Sequence, residues 1–377
     1  MGVADLAPFV RKKVPQAFRD VPLSFFAGRR LGIDTNNWFY AALYRAMQAG
    51  LDQVDLYKND PSPARVKMEL ERSIVEFGSK FLRHGCTPVF VFDGTAPAEK
   101  TNTRAKRQKI RDQTKERADE VLARIRACPN RFAVAEADMK LARNLLSRMN
   151  ILPSGALGDL RVLLELSGFA VQQSTTEGEK LTTMLVLDGL TAGSVSTDSD
   201  NWMLGCERTL KEVVGRTSDG VPIYSVVDLD QLLAGLGLSL SEFKHLCLLF
   251  GTDFNRNLPG IGPVKAYDLI LKYRRIENIP LAELQKRSKK VTDLDCLNVE
   301  TCERLIRREP AVDLQAPGAT LDFDKGVFKR NREQLRKQYA GCEPTFVGLD
   351  FYEPSPIATE PLAALDTFKV TDKTAQI

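Results

Sequence analysis

The chain has 377 residues, of which 43% are hydrophobic, so it can bury one large core or two modest ones. A formal net charge of +4 makes the chain only mildly basic, so any nucleic-acid signal must come from local clusters of charge, and two histidines exclude a histidine-rich metal site. The seven cysteines are scattered without a Cys-x-x-Cys pair, which favours reduced thiols in an intracellular compartment. No apolar run approaches the length of a membrane span, so we expect no membrane partner.

Extended and helical patterns alternate along the chain. The predicted strands are RRLGID (29–34), PVFVFD (88–93), GSVSTD (193–198) and VPIYSVV (221–227). The predicted helices cover residues 36–47, 100–127, 139–150, 159–167 and most of 239–275. This alternation predicts an α/β fold with a mostly parallel central sheet flanked by helices.

Three of the predicted strands end on an aspartate, namely Asp34, Asp93 and Asp198. In open α/β sheets the ligand site lies beyond the carboxyl ends of the strands, so we expect these side chains to converge. Four more acids lie close to the same segments of the sequence. They are Glu177 and Glu179 in TTEGEK, Asp200 two residues after Asp198, and Asp253 in GTDFN.

Seven carboxylates cannot share one site as bare anions, so divalent cations are their expected counter-ions. Oxygen ligands without histidine favour Mg²⁺ or Mn²⁺. Two such ions, about 4 Å apart, would activate a water and clamp a phosphate for in-line attack. The alternative is ordinary surface charge, because acidic pairs of the same spacing recur in segments that we interpret as helix starts or solvated loops. These pairs are Glu136/Asp138, Asp228/Asp230 and Asp293/Asp295.

Two further segments favour phosphate binding. NLPGIGPVKAYDLI (257–270) is a glycine-rich turn before a helix, where Gly260 and Gly262 allow close approach of an anion and Lys265 adds charge. Such a helix-hairpin-helix turn grips a DNA backbone without reading bases, and the alternative is an ordinary helical corner. Residues 100–117 carry eight basic and two acidic side chains, a composition typical either of a phosphate-attracting arm or of a solvated helix.

Together these segments resemble the structure-specific 5′ nucleases, and most closely the flap endonucleases. The resemblance spans residues 1 to about 275. It rests on MGVADL, GIDTNNWFY, PVFVFDG, TEGEK, STDSD and LCLLFGTDFNRNLPGIGP. It implies a PIN-like core with a helical arch and a helix-hairpin-helix element. It also implies that all seven acids bind two Mg²⁺ ions, for which Mn²⁺ can substitute.

The resemblance implies roles for further residues. Lys100 and Arg107 match the basic pair at the base of the arch, which steers the scissile phosphate. Tyr40 matches an aromatic on which a base stacks, although a core aromatic is the alternative. The remaining predicted DNA contacts are Gly2, Arg104 and the hairpin residues Gly260, Gly262 and Lys265. The hairpin is also expected to hold K⁺.

The resemblance divides the chain into six predicted regions. They are 1–100 and 136–235 (nuclease), 101–135 (basic arch), 236–280 (helix-hairpin-helix), 281–352 (basic and helical) and 353–377 (flexible tail). Extra length within 127–176 predicts an arch of different shape and puts strict threading of a 5′ end in doubt. The tail offers Leu365 and Phe368 to a sliding clamp, although Leu362 and Lys369 depart from the clamp-binding motif of the family.

We therefore expect a monomeric, Mg²⁺-dependent 5′ flap endonuclease with 5′–3′ exonuclease capacity, acting on branched DNA in replication, repair or recombination. The expected location is the nucleus, or a cytoplasmic replication site if the protein is viral. The alternatives are a junction- or gap-cutting nuclease of the same family and an inactive protein that binds DNA structures. A PIN-type ribonuclease shares the sheet and the acids, but the hairpin argues against it.

Overall fold

The computed structural model describes residues 2–52, 54–95, 97, 100–149, 155–306, 321–352 and 356–358. The strands are β1 (Phe18–Pro22), β2 (Arg30–Asp34), β3 (Thr87–Phe92), β4 (Ala170–Gln173), β5 (Ser194–Val195), β6 (Arg208–Arg216) and β7 (Pro222–Asp228). They form one seven-stranded sheet in the order β1-β7-β6-β5-β2-β3-β4.

Helices flank this sheet and follow it along the chain. The first seven are α1 (Leu6–Lys13), α2 (Thr35–Asp52), α3 (Pro63–Arg83), α4 (Thr101–Ala127), α5 (Glu136–Ser147), α6 (Ala156–Leu166) and α7 (Gly178–Leu187). The next six are α8 (Asp200–Leu204), α9 (Leu229–Leu236), α10 (Leu240–Phe250), α11 (Pro263–Tyr273), α12 (Leu281–Arg287) and α13 (Val299–Leu305). The last two are α14 (Lys325–Gln338) and α15 (Glu343–Asp350).

The sheet is mixed, and the predicted parallel part of it is correct. Strands β6, β5, β2, β3 and β4 pair in parallel, whereas β7 pairs antiparallel with both β6 and β1. The antiparallel edge follows from the short turn after β6, because a tight hairpin can join only antiparallel strands. The parallel order places the carboxyl ends of β2, β3 and β5 next to one another.

The prediction of a strand over 193–198 is wrong in extent, because β5 ends at Val195. After Val195, hydrogen bonds to side chains fix the backbone in place of strand pairing. The Ser196 hydroxyl accepts the Asp198 N–H at 3.1 Å, and both the N–H and the hydroxyl of Thr197 donate to Asn37 Oδ1. Asp198 therefore lies in a loop, and Asp200 begins helix α8 instead of continuing a strand.

Two large hydrophobic clusters hold the helices in place. One contains the inner face of the sheet and helices α2 to α6, with Ile33, Phe90 and Phe81 fully buried. The other contains α1 and helices α8 to α13 around the fully buried Trp202 and Phe243. Within the described ranges, no single helix is long and apolar enough to cross a membrane, although α9 and α10 pass a length and composition test as a pair bent by 80°.

The segment 321–352 packs against β2 and α6, where the sequence predicted only a basic and helical region. Asp322 accepts two hydrogen bonds from the Arg30 guanidinium, at 2.7 and 2.9 Å. Phe323 packs edge-to-face against Phe169 and Tyr352. The predicted clamp-binding residues Leu365 and Phe368 lie outside the described residues.

We expect Phe328→Ala to lower the free energy of unfolding by about 3–5 kcal/mol, because it opens a cavity beneath α14. Phe328 is fully buried and faces the ring of Phe346. The matched control is Lys329→Ala at the next position of α14. The Lys329 side chain is exposed, so its removal should change the free energy of unfolding by less than about 0.5 kcal/mol. Denaturant unfolding checks both variants. Equal stability of the two would mean that α14 is not docked on the core.

Candidate metal centre

The carboxyl ends of β2 and β3 supply the first two acids of the centre. Asp34 is the last residue of β2, and Asp93 directly follows β3. Ser196 Oγ donates to Asp34 Oδ2 at 3.0 Å, and the N–H of Asn37 donates to Asp34 Oδ1 at 3.1 Å. These bonds fix the orientation of a carboxylate that is almost fully buried.

Helix α7 brings two more acids to Asp93. Glu177 caps the helix and Glu179 lies in its first turn. The N–H of Gly178 donates to Asp93 Oδ1 at 2.7 Å, and Asn36 Nδ2 donates to Asp93 Oδ2 at the same distance. A Cβ at position 178 would lie 3.0 Å from Asp93 Oδ1, so a small residue allows this close contact.

The loop after β5 and the start of α8 complete a tight group of three carboxylates. Oxygens of Glu179, Asp198 and Asp200 all lie within 4.8 Å of one another. The N–H of Asp200 donates to Asp198 Oδ1 at 3.2 Å, which fixes the two side chains relative to each other. Asp200 Oδ1 is buried and has no hydrogen-bond partner among the described residues. A bound cation would satisfy that oxygen.

Burial and mutual repulsion make the charged state of these acids costly. Burial, with a smaller contribution from the charge of Asp93, raises the pKa of Asp34 to about 7. Burial first, and then the neighbouring carboxylates, raise the pKa of Glu179 and of Asp200 well above the ordinary range. Burial also raises the pKa of Glu177, against the opposing effect of Lys100. The centre therefore attracts positive charge.

Lys100 lies among these acids. Its Nζ contacts Glu177 and lies 3.7 Å from Glu179 Oε1 and 3.6 Å from Asp253 Oδ2. Burial disfavours its charge, but Glu179 and Glu177 together outweigh that effect, so the pKa of the ammonium is raised. The Lys100 Nζ also lies 4.8 Å from the centre of the Phe254 ring. The ammonium thus partly neutralises the centre.

Arg107, about two turns further along α4, binds the seventh acid. Its Nη2 donates to both oxygens of Asp253, at 3.2 and 2.9 Å. Asp253 lies in the loop after α10, so this contact joins the basic helix to the helix-hairpin-helix region. The structure thus brings together all seven predicted acids and both predicted cations.

The donor set fits an oxygen-preferring divalent cation. The ligands offered are carboxylates only, with the orphaned Asp200 oxygen among them, which suits Mg²⁺ or Mn²⁺ better than Zn²⁺. A second group with metal-ligand spacing contains His245, Glu277 and Glu303. There Arg275 Nη2 lies 3.1 and 3.5 Å from the two glutamates, so an arginine already balances their charge.

Two predicted DNA contacts lie beside the centre. Gly2 adopts a φ of 98°, and a Cβ there would lie 1.8 Å from Asp198 Oδ1, so only glycine fits. Tyr40 on α2 is 48% exposed, so the alternative of a core aromatic is wrong. The backbone of Arg104 lies in α4, but its side chain lies outside the described part of the structure.

The hairpin contains glycines that allow a tight turn, and its lysine donates hydrogen bonds to backbone carbonyls. Gly260 has a φ of 75°, and Gly262 precedes the first turn of α11. Lys265 Nζ donates to the carbonyls of Gly260 and Arg287, at 3.1 and 2.8 Å. Lys265 therefore stabilises the turn, and its predicted contact with DNA stays a prediction.

The sequence did not single out the residues that orient the acids. Asn36, Asn37 and Ser196 all hydrogen-bond to the acids or to the loop that carries them. The only available signal was their position, since each lies within three residues of a strand-ending aspartate.

We expect the metal-free protein to lose stability as pH rises from about 4 to about 7, because the folded state keeps Asp34 protonated over that range. Below that window both folded and unfolded states bind the proton, and above it neither does. Asp34→Asn should therefore gain stability relative to the wild type between pH 5 and pH 8 in EDTA. Urea unfolding measures this, with Asp230→Asn, an exposed acid, as the control. A pH-independent difference for Asp34→Asn would contradict the burial effect.

Comparisons with known proteins agree with this arrangement. The XPG N-terminal domain family matches residues 1–114, and the XPG I-region family matches residues 168–253. The chain is 30% identical over 287 residues to flap endonuclease 1-2 of Paramecium tetraurelia, covering 76% of this chain and 68% of that protein. It is 30% identical over 279 residues to flap endonuclease 1 of Theileria parva. That match covers 74% of this chain but only about half (52%) of the Theileria protein.

The fold is also found among solved structures. The catalytic core of Rad2 in complex with a DNA substrate superposes with a TM-score of 0.63 at 18% identity. The match covers 92% of this chain and all of the Rad2 core, and at this identity it concerns the fold alone. The matched families and the Paramecium relative show that the chain belongs to the XPG family of 5′ nucleases, which includes the flap endonucleases.

Proposed function

We propose that the protein is a Mg²⁺-dependent structure-specific endonuclease that cuts 5′ flaps at the junction of single- and double-stranded DNA, with 5′–3′ exonuclease activity. The observation that carries the proposal is the convergence of seven carboxylates with Lys100 and Arg107 at the carboxyl edge of the sheet. Carboxylates that bind divalent cations, and cations that bind phosphate, are what phosphodiester hydrolysis needs. The names of the curated relatives support the flap as substrate.

We assign the metal site to the seven acids. Glu179, Asp198 and Asp200 are close enough to hold one ion, and Asp34, Asp93 and Glu177 surround the position beside them. From the sequence we expect one ion held mainly by Asp34, Asp93, Glu177 and Glu179 and another held mainly by Asp198, Asp200 and Asp253. The grouping proposed here differs, because Glu179 lies with Asp198 and Asp200. When bound, two Mg²⁺ or Mn²⁺ ions would supply an activated water and neutralise charge on the phosphate. Asp253, which contacts both Arg107 and Lys100, would join them when Arg107 turns to DNA.

Lys100 and Arg107, which now contact carboxylates, would contact the phosphate of bound DNA instead. Arg107 binds Asp253 with two hydrogen bonds, and the same fork geometry binds two phosphate oxygens. Lys100 is buried, and its contacts with Glu177 and Glu179 fix its position. Its ammonium would orient one phosphate oxygen. These residues position the phosphate and stabilise its negative charge during hydrolysis.

The remaining predicted contacts place the DNA strands. The exposed ring of Tyr40 offers a stacking surface for a base near the cleaved bond. Helix α11 begins directly after the exposed Gly262, and a helix N-terminus of this kind suits a phosphate. At this hairpin the Lys265 ammonium donates to the Gly260 carbonyl, and binding of K⁺ there stays a prediction.

A second candidate, a junction- or gap-cutting nuclease of the same family, is favoured by the shape of the basic helix. Helix α4 is continuous over 27 residues, and one face of its second half, with Ala118, Val121 and Ile125, is buried in the cluster that contains the inner face of the sheet. Such an anchored helix differs from a free arch.

Sliding-clamp binding through Phe368 stays a prediction.

Cleavage of labelled DNA tests the proposal directly. The substrates are a double flap, a four-way junction, a gapped duplex and single-stranded RNA, each with Mg²⁺ and with EDTA. Metal-dependent cutting at the base of the flap supports the first candidate, and preference for the junction or gap supports the second. Binding of branched DNA without any cutting would contradict both.

We expect Asp198→Ala to reduce cleavage by about 10³-fold or more while branched DNA still binds, since the hairpin and the basic helix remain. Asp230→Ala is the matched control, because Asp230 is an exposed acid in the first turn of α9. Single-turnover cleavage and a binding assay in Ca²⁺ measure the two effects. Activity of Asp198→Ala near that of the control would remove Asp198 from the site.

We expect Arg107→Ala to lower the single-turnover rate by about 10²-fold. Arg107→Lys should restore little of it, because a lysine cannot form the paired hydrogen bonds of the guanidinium. The control is Arg161→Ala, an arginine that pairs with Glu165 on the surface of α6. A rate for Arg107→Ala that matches this control would exclude Arg107 from phosphate positioning.

A further inference from the structure

A histidine and two glutamates from three separate elements meet beside the helix-hairpin-helix region. His245 lies on α10, Glu277 lies in the 3₁₀ turn that follows α11, and Glu303 lies on α13. One possible ligand atom from each side chain lies within 4.8 Å of the other two. We call these three residues the histidine–glutamate cluster. It shares no residue with the metal centre of seven acids.

The imidazole of His245 is buried without a hydrogen-bond partner. Its side chain is only 3% exposed, and its Nδ1 is buried with no hydrogen bond to the part of the chain that the structure describes. Its Nε2 faces the cluster, 3.6 Å from Glu303 Oε1, which is too long for a hydrogen bond. Burial lowers the pKa of His245 and favours the neutral ring, whose lone pair can bind a metal. A buried ring of this kind needs a further partner.

The chemistry and spacing of the histidine–glutamate cluster fit zinc. Zinc bonds to imidazole nitrogen and carboxylate oxygen are about 2.0–2.2 Å long, so tetrahedral ligands lie about 3.4 Å apart. The 3.6 Å between His245 Nε2 and Glu303 Oε1 is close to that separation. A mixed set of imidazole and carboxylates suits Zn²⁺, whereas the oxygen-only set of the metal centre suits Mg²⁺. Three protein ligands leave a fourth position for water.

Arg275 provides the competing interpretation, which is an ordinary network of surface ion pairs. Its Nη2 donates to Glu277 Oε1 at 3.1 Å and lies 3.5 Å from Glu303 Oε1. The arginine side chain is 47% exposed, and exposed ion pairs contribute little to stability. The network also leaves the buried ring of His245 without a partner. A cation bound by all three members of the cluster accounts for the histidine as well as for the glutamates.

We propose that the histidine–glutamate cluster binds one Zn²⁺ ion through a ring nitrogen of His245 and one carboxylate oxygen each from Glu277 and Glu303. The guanidinium of Arg275 turns to solvent when the ion binds. The ion joins α10, the turn after α11 and α13, so it stabilises the helices on both sides of the glycine-rich hairpin. The inference does not depend on nuclease activity, because none of these residues belongs to the metal centre.

Zinc binding to the full chain tests the inference. The protein is dialysed against Zn²⁺ in excess Mg²⁺, and its zinc content and melting temperature are measured. H245Q removes the nitrogen ligand, and E277Q/E303Q removes both oxygen ligands without changing the buried ring. The matched control is E300Q/E333Q, which removes two exposed acids from α13 and α14.

We expect the wild type and the control to bind one more zinc than E277Q/E303Q. Both H245Q and E277Q/E303Q should weaken that zinc by about 10²-fold or more, since loss of even an outer partner of a metal ligand costs about 10–100-fold in affinity. Zinc should raise the melting temperature of the wild type and of the control but not of E277Q/E303Q. Equal zinc content and equal zinc response of E277Q/E303Q and the control would overturn the inference.

The variant R275Q separates a metal site from an ion-pair network. Loss of the arginine removes a weak competitor for both glutamates, so zinc should bind about two- to tenfold more tightly than to the wild type. If the glutamates serve only to pair with Arg275, then R275Q binds no more zinc than E277Q/E303Q. That result would also contradict the inference.

Discussion

Mutual repulsion among seven carboxylates is the constraint on which the rest of the structure depends. Burial first, and then neighbouring carboxylates, raise the pKa of Asp34, Glu179 and Asp200, so their charged forms are disfavoured. Such a centre is stable only with positive charge inside it. Lys100 supplies part of that charge from the start of α4, and the oxygen-only donor set indicates where divalent cations supply the rest.

The parallel sheet explains how acids from distant parts of the sequence meet. Neighbouring parallel strands end at one edge, so Asp34 and Asp93 become neighbours without any long-range sequence signal. Short hydrogen-bonded loops then bring in α7 and α8, whose first turns carry Glu179 and Asp200. The arrangement needs two hydrophobic clusters, because the sheet belongs to one and α8 belongs to the other.

The sequence predicted what local pattern determines and missed what tertiary contacts determine. Apolar strands that end on aspartate revealed Asp34 and Asp93, and the glycine-rich hairpin was equally visible. The end of β5 was missed, because it depends on the bonds that Ser196 and Thr197 make to distant residues. The docking of 321–352 was missed for the same reason, since Arg30 and Asp322 are 292 positions apart.

Crystals of the protein soaked in Mn²⁺ would test the central claim most directly, because anomalous scattering locates each ion independently of activity. The account predicts two peaks about 4 Å apart. Both should be contacted by the acids at the sheet edge, with Arg107 turned away from Asp253. A single peak elsewhere, or none at concentrations that support cleavage, would show that these carboxylates are balanced by Lys100 and Arg107 alone and would contradict the account.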